Sequence, residues 1–181
     1  MKFTETPLSG AWVVELEEIS DDRGFFARSF CQNEFAEHGL KPQVAQANLS
    51  VNHRAGTLRG MHYQLPPAAE TKLVRCTQGA IHDVIIDLRP DSPTRFEHFG
   101  VELTAANRKA LYVPELFAHG YLSLTDGAEV GYQVGEFYTP GYERGLHHAD
   151  PAFGIEWPHT IDVISDKDAA WAPFDPDTVL D

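Results

Sequence analysis

Turn signals recur through most of this chain at short intervals, and that spacing limits the folds open to it. They are Asp22-Arg23-Gly24, Gln78-Gly79, Arg89-Pro90-Asp91-Ser92-Pro93, Thr125-Asp126-Gly127 and Thr139-Pro140-Gly141. Short runs rich in Val, Ile, Leu, Tyr and Phe lie between them. Branched and aromatic side chains fit a pleated surface, and Gly, Pro and Asp supply the dihedrals that end a strand. The pattern predicts an all-β sandwich or barrel. Its clearest strand runs from Gly79 to Leu88, with faces Ile81/Asp83/Ile85/Asp87 and His82/Val84/Ile86/Leu88. Both faces are half apolar, as expected of a strand packed against a second sheet. Helix is scarce. One short helix is predicted over Glu34 to His38, capped by Asn33 and stopped by Gly39, and another over Asp166 to Ala170 after Ser165. The Pro- and Asp-rich tail after Trp171 reads as irregular.

With 181 residues and no visible linker or repeat, the chain reads as one domain, 1–181. The formal net charge is −13, which argues against nucleic acid or an anionic membrane as a partner, since both need a basic surface. No apolar run approaches the roughly 20 residues of a membrane span. Cys31 and Cys76 fit no metal or redox spacing and read as thiols of a reducing compartment. The opening MKFTETPLSGAW lacks the apolar core of a signal peptide, so a cytoplasmic location is expected.

Against that acidic background, residues 57–75 (TLRGMHYQLPPAAETKLVR) concentrate Arg59, His62, Lys72 and Arg75. The segment reads as two strands joined by a Pro-Pro loop. A histidine base, a lysine and two arginines gathered there point to a cleft for a small anionic substrate. Strict strand alternation sends Arg59 and His62 to opposite faces, and Gly60 between them is a candidate bulge that would re-aim the strand.

The chain resembles the dTDP-4-dehydrorhamnose 3,5-epimerase family. The residues that carry the resemblance are DDRGFF at 21–26, QANLS at 46–50, LRGMHYQLPP at 58–67, KLVR at 72–75 and GAIHDVIIDLRPDSPT at 79–94. They continue with LTAANRKALYVP at 103–114, FAHGY at 117–121, AEVGYQVGEFYTPGYERG at 128–145, DPAFGIEWP at 150–158 and SDKD at 165–168. The resemblance implies an all-β double-stranded β-helix, a cupin-like jelly roll with a few short helices, and a homodimer. It also implies a substrate: a 4-keto-6-deoxy sugar on a pyrimidine nucleoside diphosphate, with dTDP first. The reaction would convert dTDP-4-dehydro-6-deoxy-D-glucose to dTDP-4-dehydro-L-rhamnose. Protons at C3 and C5 are acidic because the carbanion delocalises into the ketone. Epimerisation then needs a base on one face, a cation at the carbonyl oxygen and an acid on the other face. No metal or other cofactor is implied.

Residue by residue, the resemblance assigns His62 as base, Asp168 as its carboxylate partner, Lys72 as enolate stabiliser and Tyr132 as acid. Tyr138 orients the sugar. Arg59, Arg23 and Lys167 serve the pyrophosphate and sugar oxygens, with Arg23 in a segment reaching the partner's site. Gln46, Asn48, His119 and Glu143 match further substrate contacts, and Asp83 orients His119. Without the family each residue has a duller reading: a surface or structural histidine, an exposed lysine, a packing tyrosine, a capping aspartate. The chain departs from the family pattern at Arg28, where a Glu is common, and at Glu70-Thr71, where Gln-Gly is common. It departs again at His148, where a Trp is common, and at Leu116, which replaces a Gly and calls for a loop without positive φ. Arg28 is kept among the substrate-binding candidates.

Three rivals remain at this point. A metal cupin needs a His-x-His pair, and the chain reads His62-Tyr63-Gln64. A non-catalytic sugar-nucleotide binder has no use for the set His62, Lys72, Tyr132 and Asp168. An enzyme that inverts one carbon only, or that uses another nucleotide-linked keto sugar, has the same chemistry.

Overall fold

The computed structural model describes residues 1–175, and the last part of the tail lies outside the described residues. In chain order the elements are β1 Lys2–Glu5, β2 Trp12–Glu15, β3 Ile19–Asp21, β4 Gly24–Phe26, α1 Gln32–Glu37, β5 Gln46–Asn52, β6 Leu58–Gln64 and β7 Lys72–Gln78. They continue with β8 Ala80–Asp87, β9 His98–Thr104, β10 Ala110–Val113, β11 Phe117–Ser123, β12 Ala128–Val134, β13 Glu143–Gly145 and α2 Asp166–Ala169. Two antiparallel sheets form a jelly roll. One runs β1-β2-β10-β7-β12-β5 and the other β13-β6-β11-β8-β9, while β3 and β4 make a separate hairpin. Chain neighbours such as β6 and β7 sit in different sheets, so the strands alternate between layers. The fold is a cupin-like jelly roll, all-β with two short helices among the described residues.

Period two decides which residues meet between the sheets. On β8, Ile81 and Ile85 join Val74, Leu103, Leu111 and Phe117 in the central core. Each such side chain, buried from water, contributes about 1.5–3 kcal/mol. The opposite β8 face, Val84 and Ile86, packs with Met61 and Tyr63 under Leu146, Phe153 and Trp157 of the C-terminal segment. That segment positions the site, because it carries α2 back to the end of β6. On the other side, α1 covers the outer face of β2, β10 and β7 through Phe35, whose ring lies 5.0–5.8 Å from those of Phe30, Phe3 and Tyr112.

Two local expectations are corrected. The N-cap of α1 is Cys31, two residues earlier than Asn33, and it makes no side-chain capping bond; Phe35 packing holds the helix instead. Gly39 does follow the helix end, with φ +71°. Leu116 takes the glycine-like conformation after all, at φ +58°. Its side chain packs against the outer core cluster, which offsets the roughly 1–2 kcal/mol that L-residues lose there. Ser165 caps α2 as expected, accepting a bond from the Asp168 N–H at 3.1 Å.

His82 gives this fold an acid sensitivity. Its ring lies on the outer face of β8, 6.2 Å from that of Trp157. Burial first, with His98 adding, pushes it below the ordinary 6.5 despite Asp83 and Glu102. Burial, then His147, likewise lowers His148. The unfolded chain therefore binds more protons between the lowered values and 6.5, so stability rises with pH across that window and is lost as pH falls below it. Thermal melts should show a falling midpoint from about pH 7 to about pH 5, with a smaller slope in His82→Gln. Equal slopes in the two proteins would remove His82 from the account.

Candidate active site

A cavity of about 550 Å³ opens between the sheets, with β6 and β11 on one wall and β5, β7 and β12 on the other. His62 and Arg59 both enter it because β6 is irregular. Arg59 pairs with Tyr121 and His62 with His119, so three steps on β6 match two on β11. This is the bulge expected at Gly60. Gly60 has φ +126°, and a Cβ there would lie 2.5 Å from the Gly120 Cα, so no other residue fits without a backbone shift.

His62 Nε2 lies 2.6 Å from Asp168 Oδ1. The other carboxylate oxygen accepts the Gly60 N–H at 3.2 Å. Burial alone would raise the Asp168 carboxyl. The bond and charge of His62, the Gly60 N–H and Ser165 outweigh it and hold the group below the ordinary 3.8. An ionised carboxylate only accepts, so Nε2 carries the imidazole proton and Nδ1 keeps a lone pair able to take another. Trp171 backs this arrangement by packing flat on Gly145, where a Cβ would meet its ring at 2.0 Å.

The facing wall carries Lys72 and Tyr132, in register through Val134 and Val74 on β12 and β7. Lys72 is buried rather than exposed, and its Nζ lies 2.9 Å from Glu70 Oε1. Gln64 joins the two loops around this pair. Its Nε2 donates to Glu70 Oε2 at 3.1 Å and to the Ala68 carbonyl at 2.9 Å, and its Oε1 accepts the Thr139 N–H at 2.8 Å. Tyr132 is half-buried on the cavity wall. Burial, then its neighbour Tyr121, pushes the phenol well above the ordinary 10.0, so it stays protonated as an acid. His119 Nε2 bonds Asp83 Oδ1 at 2.8 Å, a second imidazole–carboxylate pair, with the His119 ring 6.0 Å from that of Tyr132.

Gln46, Asn48, Arg59, His62, Lys72, His119, Tyr132, Tyr138, Glu143 and Asp168 all line the cavity. Tyr138 does so from a loop, because β12 ends at Val134. Its N–H donates to Gln46 Oε1 at 3.3 Å, and its hydroxyl to Glu143 Oε2 at 3.4 Å. Four candidates stand elsewhere. Lys167 pairs with Glu143 just outside the lining. Asp83 is fully buried behind His119 and touches no cavity surface, so it is a support and not a substrate contact. Arg28 lies past the end of β4 and pairs with Glu34 at 2.9 Å. Arg23 sits at the tip of the β3–β4 hairpin, its side chain 89% exposed beside Asp21. Arg75, counted with the basic cluster, points to the outer face of its sheet, where its Nη2 donates to the Ser29 carbonyl at 3.4 Å. Period two on β7 separates it from Lys72.

Several lining residues were missed in sequence: Ser50, Gln64 and Tyr121. The signal existed. Each lies two residues from a named candidate on the same strand, and alternation puts it on the same face. Among the described residues, no group of three or more His, Cys, Asp or Glu is placed to hold a metal, and no helix is long and apolar enough to cross a membrane.

The model of the dTDP-4-dehydrorhamnose 3,5-epimerase family matches residues 5–176. The enzyme of that name from Shigella flexneri is 43% identical over 169 residues, covering 93% of each chain. That from Methanothermobacter thermautotrophicus is 42% identical, covering 96% of this chain and 94% of its own. The crystal structure of the Bacillus anthracis enzyme, with TDP and PPi bound, superposes with a TM-score of 0.91 at 40% identity, covering 96% of this chain and 99% of that one. A cavity walled by an imidazole–carboxylate pair, a buried lysine and a half-buried tyrosine thus comes with a match along nearly the whole chain, and the protein belongs to the dTDP-4-dehydrorhamnose 3,5-epimerase family.

Proposed function

We propose that this chain, as one domain, epimerises dTDP-4-dehydro-6-deoxy-D-glucose at C3 and C5 to give dTDP-4-dehydro-L-rhamnose. The observation that carries this reading is the placement of His62 and Tyr132 on opposite walls of one cavity, in different sheets. A sugar ring lying between them is reached by a base on one face and an acid on the other. His62 Nδ1 takes the proton next to the ketone, and Asp168 stabilises the imidazolium that forms. The enolate oxygen lies by Lys72, whose ammonium offsets the new charge in a poorly hydrated site. Tyr132 then delivers a proton to the opposite face.

Arg59 and His119 take the anionic and oxygen-rich parts of the substrate, with Gln46, Asn48, Tyr138, Glu143 and Lys167 at the sugar end. The TDP bound by the Bacillus anthracis relative supports dTDP as the nucleotide. A homodimer is part of the reading. The β3–β4 hairpin exposes Ile19 and Phe26 at 71% and 72%, and the outer face of β5 exposes Leu49 at 62%. A second copy would cover this apolar surface and receive Arg23. A light-scattering mass near twice 20.2 kDa is expected. A cytoplasmic location fits the free thiols of Cys31 and Cys76.

Deuterium wash-in tests the reaction and its substrate together. In heavy water, the dTDP-linked keto sugar should acquire deuterium at both carbons flanking the ketone. Exchange at one carbon only would make the chain a mono-epimerase. Faster exchange with the UDP-, CDP- or GDP-linked sugar would move it to another substrate.

A further inference from the structure

Inverting two carbons with one acid raises a supply problem, and this inference rests on the double inversion proposed above. Tyr132 must donate once for each carbon. Between the two donations the sugar still fills the cavity and covers the edge of Tyr132 that meets water. His62 is the more open of the two, with 32% of its side chain exposed.

Behind Tyr132 lies a second phenol with a route outward. The rings of Tyr121 and Tyr132 are 6.4 Å apart, centre to centre. Tyr121 is 1% exposed, yet its hydroxyl lies 2.9 Å from Ser50 Oγ. It also accepts from Asn52 Nδ2 at 3.1 Å and donates to Asn52 Oδ1 at 3.3 Å. Asn52 is in turn fixed by Arg59 Nε at 2.8 Å and by the Ala128 carbonyl at 3.1 Å. Ser50 is half buried on β5, the edge strand of its sheet, where solvent reaches. Packing alone asks only for a ring at position 121. A hydroxyl held by three polar atoms on a residue that lines the cavity serves more than packing.

We propose that Tyr121 reloads Tyr132 between the two inversions, drawing its proton from solvent through Ser50. As the C–H bond forms on the sugar, the Tyr132 O–H bond breaks and a phenolate remains. The Tyr121 O–H proton passes to that phenolate, the Ser50 proton passes to Tyr121, and water returns one to Ser50. His62 releases to solvent the proton it took from the sugar, so each inversion takes one proton from water and returns one. The poor hydration that makes the Tyr132 phenol hard to ionise also makes its phenolate quick to accept a proton. Tyr121 acts through Tyr132 and does not itself meet the reacting carbon.

The test is a single-turnover experiment with enzyme in excess over dTDP-4-keto-6-deoxy-D-glucose in heavy water, quenched at intervals. The readout is the number and position of inverted carbons. Wild type should pass to the doubly inverted sugar with little singly inverted species. In Tyr121→Phe, which keeps the ring and leaves Asn52 bonded to Arg59 and Ala128, the second inversion should slow relative to the first by about tenfold or more. The singly inverted sugar should then accumulate. Ser50→Ala, at the accessible end, should give the same pattern and keeps the result readable if Tyr121→Phe folds poorly. Equal slowing of both inversions would overturn the relay, because a misshapen site or a direct donor acts on both. An unchanged ratio in both variants would overturn it as well. A wild type that turns over but inverts one carbon removes the double inversion on which the relay rests. A wild type inert on this sugar fails the proposed function itself.

Discussion

In heavy water, His62→Ala should lose exchange of the substrate hydrogens, while Tyr132→Phe should keep some exchange and lose inversion. The two side chains act on opposite faces, so they fail differently. Without His62 no base removes the proton, and neither exchange nor inversion follows. Tyr132→Phe retains the ring packed near His119 and Tyr121 and loses only the donor. The enolate still forms beside Lys72, and His62 can return a deuteron to the face it came from. Inversion should fall by about 10²–10⁴, the usual worth of a positioned general acid. Equal loss of exchange and inversion in Tyr132→Phe would contradict the assignment and move the acid to Tyr138 or to water.

Lys72→Met should damage both stability and turnover, and a second change should separate the two. Lys72 and Glu70 are 10% and 13% exposed and 2.9 Å apart. Removing the ammonium strands the Glu70 carboxylate, with the Gln64 amide its remaining partner in this network. Breaking such a pair from one side costs about 3 kcal/mol, the low end for buried ions. For a chain of this length that lowers the melting midpoint by about 6–12 °C. Adding Glu70→Gln removes the orphaned charge and should recover most of the stability. Turnover should stay low, because nothing then faces the enolate oxygen with positive charge. A double variant that regains activity would take the enolate role away from Lys72. A Lys72→Met protein as stable as wild type would mean that cavity water screens the pair.

Much of the site was legible because the family resemblance carries it residue by residue, Gln46, Asn48 and Lys72 among them. Strand alternation is a local rule that agrees with it, placing Gln46 and Asn48 on one face of β5. The same rule, applied with more care, reaches Ser50, Gln64 and Tyr121 and rejects Arg75. The rule failed where the chain leaves the sheet. Tyr138 lies in a loop beyond Val134, where β12 stops, and Arg28 lies beyond Phe26, where β4 stops. Glu70 was visible as a departure from the family pattern, but its partner was not. A single letter in a loop carries no information about the lysine two residues on until the loop is folded back by Gln64.

By itself the sequence determined the class of fold, the turn positions, the family and most of the residues that line the cavity. The fold class and turns depend on short-range sterics, and the family and its cavity residues on motifs matched along the chain. Tertiary structure alone decided that Arg59 and His62 share a face, because the Gly60 bulge is measured against β11 and not along β6. It decided that Asp83 stands behind His119, and that Asp168 crosses 106 positions of chain to reach His62. It set the protonation of the site as well. The lowered Asp168 and the raised Tyr132 follow from burial and from neighbours that only the closed sandwich brings together. Contacts between distant segments, and the loss of water around them, have no counterpart in the order of residues along a strand.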